Sequence, residues 1–312
     1  MGLRTRRTAA ATGGDGAAFR CRGIGGAVCG RGHRHRGGRA AAAGFAAVRL
    51  KWALAVAAAA LPAAALAHAP GSGWETLPLR LAQALFVVSW FAYAWGAAQR
   101  RPSPARRAAL HGAMSVAGLA LFGPFDDWAG QSTAWHMVQH MLLMVVVGPL
   151  LVLARPLPQW RAALGHGADA AWRAALVLTQ RPLACATLHG MAIWFWHAPA
   201  LYTAALLDPG LHLLEHISFL GSALLFWQAV LGAGRSRAPA AALALLLTLM
   251  HTGLLGALLT FAREPLYLRE SRELWDQQLA GLVMWIPGGA AYLLATILVT
   301  RRLLVPAAAR AG

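Results

Sequence analysis

The side chains with most chemical capacity in this sequence are histidines, and several come in pairs. His136 and His140 stand four residues apart in WHMVQHMLLMVVVGP, His212 and His216 four apart in LHLLEH, and His197 closes the run WFWH. An α-helix turns about 100° and rises about 1.5 Å per residue, so each pair lies on one helical face, about 6 Å apart along the axis. Imidazoles placed in this way are metal ligands that suit copper, zinc and iron. Met137, Met141 and Met144 fall within roughly 140° of the first pair, and thioether sulfur adds a preference for Cu(I). Glu215 shares the face of the second pair, where a carboxylate either ligates a metal or orients an imidazole.

Each feature has a plainer reading when taken alone. A single histidine near a membrane interface is usually hydrogen-bonded or snorkelling. The tryptophans beside it form the ordinary aromatic belt, and methionines fill gaps in apolar cores. Five histidines at one depth are harder to dismiss, so the elements that carry them decide the matter.

Those elements are apolar. Of the 312 residues, 58% are hydrophobic and only 12% charged, and the mean hydropathy is +0.51. This is the profile of an all-α, polytopic membrane helix bundle. The formal charge of +17 does not point to nucleic acid, because nine arginines against the single acid Asp15 in residues 1–47 supply +8 of it. Most other basic residues sit in short loops, where they orient helices. Cys21, Cys29 and Cys185 make neither a disulfide framework nor a cysteine zinc site.

Residues 1–47 form an Arg/Gly/Ala arm without aliphatic periodicity, expected to be disordered. Residues 48–67 read as a signal peptide, with Arg49 and Lys51 before a short apolar run and an A-x-A site at Ala65–Ala67. A start at Val48 would make the arm a mis-annotated extension. Cleavage after Ala67 would expose His68, whose free amine and imidazole form a copper chelate.

About seven spans follow, at 79–98, 108–124, 135–154, 183–202, 211–232, 240–262 and 278–300. Arg100, Arg101, Arg106 and Arg107 follow the first span, Arg155 to Arg181 the third, Arg235 and Arg237 the fifth, Arg301 and Arg302 the seventh. The opposite loops hold Asp126, Asp127 and Asp208, then a mixed loop with Arg263, Arg269, Arg272, Glu264, Glu270 and Glu273. The positive-inside rule therefore places the N-terminus outside and the C-terminus in the cytoplasm. Loop 155–181 reads as an amphipathic interfacial segment, with His166 solvated.

In this topology His136, His140, His197, His212 and His216 all fall at the outer ends of three successive spans. Asp126 and Asp127 sit at the outer mouth, as a loop turn or as an attractor for cations. His189 lies about 12 Å deeper than His197 by helical rise, His111 near an inner end, and Met250 and His251 near mid-span. Asp276, Gln277 and Gln278 open the last span, and Pro287-Gly288-Gly289 breaks it. There is no Ser/His/Asp triad or phosphate loop, and Asp126–Asp127 lacks the separation an acid/base pair needs, so nothing demands an enzyme.

The stretches HMVQHMLLMVVVGPLL, WFWHAPALYTAAL running into LHLLEHISFLGSALLFW, and DQQLAGLVMWIPGG resemble the CtaG-type cytochrome c oxidase assembly factors, from about residue 79 to 302. The resemblance implies a multi-pass protein of the bacterial inner membrane, working with cytochrome c oxidase subunits, with copper delivery as its role. It carries over onto His136, His140, His197, His212, Glu215 and His216. The expected function is a copper-binding assembly factor whose site faces the periplasm or cell exterior. The alternatives are a b-type cytochrome, with histidines of separate helices on haem, and a copper transporter using Met250 and His251.

Overall fold

A computed structural model describes residues 77–267 and 273–304. The arm at 1–47, the signal peptide at 48–67, His68, and Arg269, Glu270 and Arg272 lie outside the described residues. Among the described residues every regular element is helical. The helices are α1 (Leu77–Gln99), α2 (Pro104–Phe122), α3 (Pro124–Ala129), α4 (Thr133–Met141) and α5 (Gly148–Ala154), then α6 (Leu157–Leu164), α7 (Asp169–Leu178), α8 (Pro182–Trp196) and α9 (Pro199–Leu207). They are followed by α10 (Pro209–Leu231), α11 (Ala238–Thr260), α12 (Leu274–Val283) and α13 (Gly289–Leu304). A π-turn, Leu142–Val147, fuses α4 to α5, and another, Met284–Gly288, fuses α12 to α13.

Helix starts follow from local chemistry. Five helices open on proline (Pro104, Pro124, Pro182, Pro199, Pro209), whose missing N–H falls where a helix has no acceptor for it. Ser103, Ser132 and Asp208 cap α2, α4 and α10 with their side-chain oxygens.

Among the described residues, five stretches are long and apolar enough to cross a membrane: Leu77–Gln99, Thr133–Ala154, Pro209–Leu231, Arg235–Thr260 and Leu274–Arg302. The spans expected at 108–124 and 183–202 are not among these stretches. The first turn of α2 carries Arg106 and Arg107, and α8 has only 15 residues, about 22 Å of rise against a hydrocarbon core of about 30 Å. The end of α8 is set by Pro199, which pushes Ala198 into extended backbone (φ −65°, ψ 128°). His197 becomes the C-cap of α8 instead of lying inside a longer helix, and α9 starts beyond it. The last long helix breaks at Pro287, as the sequence implies, and does so by widening into a π-turn. Segment 155–181 is two short helices, α6 and α7, with Arg161 and His166 both bonded to Asp169 (2.7 and 2.9 Å).

Large apolar side chains point outward along the long helices, Leu85, Met250 and Phe261 among them, each about two-thirds or more exposed (67%, 68% and 72%). This suits a lipid-facing surface. Helix α12 packs on α4 and α11, α8 on α10 and α11, and α1 on α6. The α11–α12 crossing depends on two glycines. A Cβ on Gly281 would come 2.5 Å from the Gly256 carbonyl oxygen, and one on Gly256 would come 2.9 Å from that of Gly281.

Candidate metal centre

The site begins with how α4 is held. Asp276, buried in the first turn of α12, reaches across to the start of α4. Its Oδ1 accepts from Ser132 Oγ (2.6 Å) and Ala134 N (3.4 Å), and its Oδ2 from Thr133 N (2.7 Å). The free N–H groups of a helix start are thus satisfied by a carboxylate, which the helix dipole also favours. One turn on, Gln139 is fully buried and donates Nε2 to Ala120 O (2.7 Å) and Asp126 Oδ1 (3.0 Å). These bonds tie α4 to α12, to the end of α2 and to α3, and so set where His136 and His140 point. Asp126 and Asp127 lie in the first turn of α3. Burial pushes the Asp126 carboxyl above its ordinary range, and the hydrogen bond from Gln139 opposes that.

His136 and His140 are both buried, with Nε2 atoms 3.0 Å apart. At that distance one nitrogen carries the hydrogen and the other accepts it, so at least one ring is neutral at Nε2. From α10, His212 and His216 face them. Ring centroids are 5.4 Å apart for His136–His212 and 5.3 Å for His140–His216. One ligand nitrogen from each of the four histidines lies within 4.8 Å of the others. Neither His212 Nε2 nor His216 Nε2 has a hydrogen-bond partner, which is costly for buried polar atoms in the absence of a ligand.

His197 and Glu215 border this nest without belonging to the group of four. His197 is buried with its ring centroid 6.5 Å from that of His140. Its Nδ1 donates to Ile193 O (2.7 Å), which leaves Nε2 an unprotonated lone pair with no partner. Metal-bound histidines typically show this backbone-anchored tautomer. Glu215 is buried, with Oε1 3.8 Å from His140 Nε2.

Aromatic residues that sequence reasoning did not single out close the nest. Tyr202 of α9 lies against His136 (5.2 Å) and stacks on Tyr267 (4.0 Å), while Phe219 lies against His140 (4.7 Å). Tyr267 donates its hydroxyl to His197 O (2.7 Å). Gln277 Oε1 in turn accepts from Leu266 N (2.5 Å) and Tyr267 N (3.2 Å). The one signal available for Asp276, Gln139 and Gln277 was their polarity inside apolar spans.

The other candidates lie elsewhere. Met137, Met141 and Met144 are buried in the apolar core, with the Met141 sulfur against Gly288. His189 is bonded to Ser222 Oγ (2.9 Å), and His111 Nδ1 accepts from Trp90 Nε1 (2.9 Å). Met250 faces outward, and half-buried His251 lies against Gly190.

Compared with known families, residues 89–305 match that of the cytochrome c oxidase caa3 assembly factors. The chain belongs to this family. No curated protein and no solved structure matches it. The matched stretch contains every residue of the histidine nest and the whole hydrogen-bonded support around it, so the nest lies within the assembly-factor domain.

Proposed function

We propose that this assembly factor holds a copper ion at His136, His140, His212 and His216, with His197 and Glu215 as adjoining donors, and passes it to nascent cytochrome c oxidase. The observation that carries this reading is the convergence of four ring nitrogens within 4.8 Å, a spacing that suits one tetrahedral ion bound by imidazoles. With no thiolate and with the methionines in the core, the donor set is nitrogen-rich and suits release as well as capture. The protein then acts as a carrier and catalyses no reaction. A haem would need room for a macrocycle between two facing imidazoles, and the 3.0 Å approach of His136 to His140 leaves none between those two. Met250 on the outer surface argues against a continuous path across the bilayer.

In this reading α2 and α8 complete seven crossings of the bacterial inner membrane, with the N-terminus outside and the nest facing the periplasm or cell exterior. Its partners are oxidase subunits, met within or at the outer face of the bilayer. The test is metal analysis of purified wild type against the His136→Ala/His140→Ala double variant, after loading with Cu(I). We expect copper bound by the wild type and lost from the variant. Equal copper in both, or a strong visible haem band in the wild type, would defeat the assignment.

A further inference from the structure

At the opposite end of α1 and α2 from the histidine nest lies a cavity of about 610 Å³, lined by Ala94, Ala97, Ala98, Arg101, Pro102, Arg107 and His111. Arg101 and Arg107 are exposed, and no carboxylate among the described residues pairs with either. His111 has its Nδ1 occupied by Trp90, so its Nε2 carries the hydrogen and is a donor. Tyr93 stands edge-on to His111 at 6.0 Å, fully buried, and its hydroxyl has no hydrogen-bond partner. The cavity thus gathers two guanidiniums and an imidazole N–H, all donors without an acceptor among the described residues, beside the end of a membrane-length helix. Its remaining wall is alanine and proline.

We infer that this cavity binds a phosphate group, with Arg101 and Arg107 as charge-assisted donors and His111 as a third. A guanidinium matches phosphate oxygens in geometry as well as in charge. Basic pockets between membrane helices accept lipid headgroups, while free phosphate offers the same oxygens. The alanine wall leaves room for the glycerol end of a phospholipid.

The test uses the full chain in neutral detergent, with thermal midpoint read against added phosphatidylglycerol, phosphatidylcholine or inorganic phosphate. We expect phosphatidylglycerol to raise the midpoint, and Arg101→Gln/Arg107→Gln to weaken its apparent affinity about tenfold or more. Arg101→Lys/Arg107→Lys should keep most of the effect, and Arg235→Gln/Arg237→Gln, away from the cavity, all of it. An equal rise with inorganic phosphate would support the site and name the free ion as its source. A rise that is the same in the Gln double variant, or no rise with any probe, would overturn the proposal. An unliganded midpoint near that of the wild type shows that each variant is folded.

Discussion

The Asp276 carboxylate accepts from the backbone N–H of Thr133 at 2.7 Å, and so the last long helix of the protein caps the helix that carries His136 and His140. The histidine nest is therefore aimed by a residue 136 positions after its second histidine. Asp276→Ala should cost about 1–3 kcal/mol of stability, the range for a lost cap and for unsatisfied buried N–H groups. It should also lower copper occupancy, although Asp276 does not touch the nest. Asn, which keeps an acceptor oxygen, should recover part of both. Thermal melts in detergent alongside metal analysis would check this, and full occupancy in the Ala variant would show that α4 holds its own register.

His140 sits at the centre of the nest, facing both His136 and His216. Replacing His140 or His216 by Ala should abolish copper binding and oxidase maturation. His166→Ala should do neither, because His166 lies in the exposed turn before α7, bonded to Asp169. Oxidase activity in cells carrying each variant, with copper measured on the purified proteins, separates these outcomes. Equal loss in all three would remove the site from the nest.

Trp227 donates Nε1 to the Met144 carbonyl at 2.7 Å. In a π-turn that carbonyl would be bonded by the N–H five residues on, which is Pro149 and has none. Trp227→Phe should leave a buried carbonyl unsatisfied and destabilise the protein by about 1–3 kcal/mol. A melting shift within the scatter of neutral surface changes, about 0.5 kcal/mol, would mean that the π-turn does not need this bond.

Two glycine substitutions should differ in their effects. Gly281→Ala forces a Cβ into the Gly256 carbonyl and should cost about 1–3 kcal/mol by overpacking. Gly221→Ala, inside α10, meets nothing within 4 Å and should be neutral or stabilise by up to about 1 kcal/mol through helix propensity. Comparative melts of the two variants decide this directly.

Asp169 tests the α6–α7 corner. The hydrogen bond with His166, and then that from Arg161, hold its carboxyl below the ordinary value of 3.8. An acid with a depressed folded pKa contributes stability above its unfolded pKa, and this is lost as pH falls through the folded value. Asp169→Asn should therefore melt slightly below wild type near neutral pH. The gap should close as pH falls below about 4. A gap that persists in acid would assign the effect to packing.

The histidine pairs could be read from sequence because i,i+4 spacing is a local property of a helix, and their shared depth followed from counting arginine-bearing loops. What escaped was everything carried by long-range partners. Asp276 was visible at the start of the last span, but its acceptors' donors at 132–134 were not. Gln139 lies between the two histidines, and its polarity in an apolar span is a signal of burial but not of its partners. The expected span at 183–202 ran through Pro199, whose effect on Ala198 ends α8 early and leaves His197 as a cap. The methionines shared an arc with the histidines in a helix drawn without a break. Met137 and Met141 precede the π-turn and Met144 lies in it. An arc of about 140° is wide enough to include a core-facing edge, and the core takes all three sulfurs.

That π-turn, Leu142–Val147, has a consequence for the helix as a machine part. It holds one residue more per turn than the helix on either side, so the two halves are phased independently. The histidine-bearing half answers to α12, and the half beyond Val147 answers to α2 and α10. Wound as a regular α-helix with the same residues, this stretch would turn one half about 100° against the other, whereas deleting one residue would restore a continuous α-helix with both faces still in phase. The spare residue acts as a phase adjuster, letting the imidazoles face their partners without moving the rest of the rod.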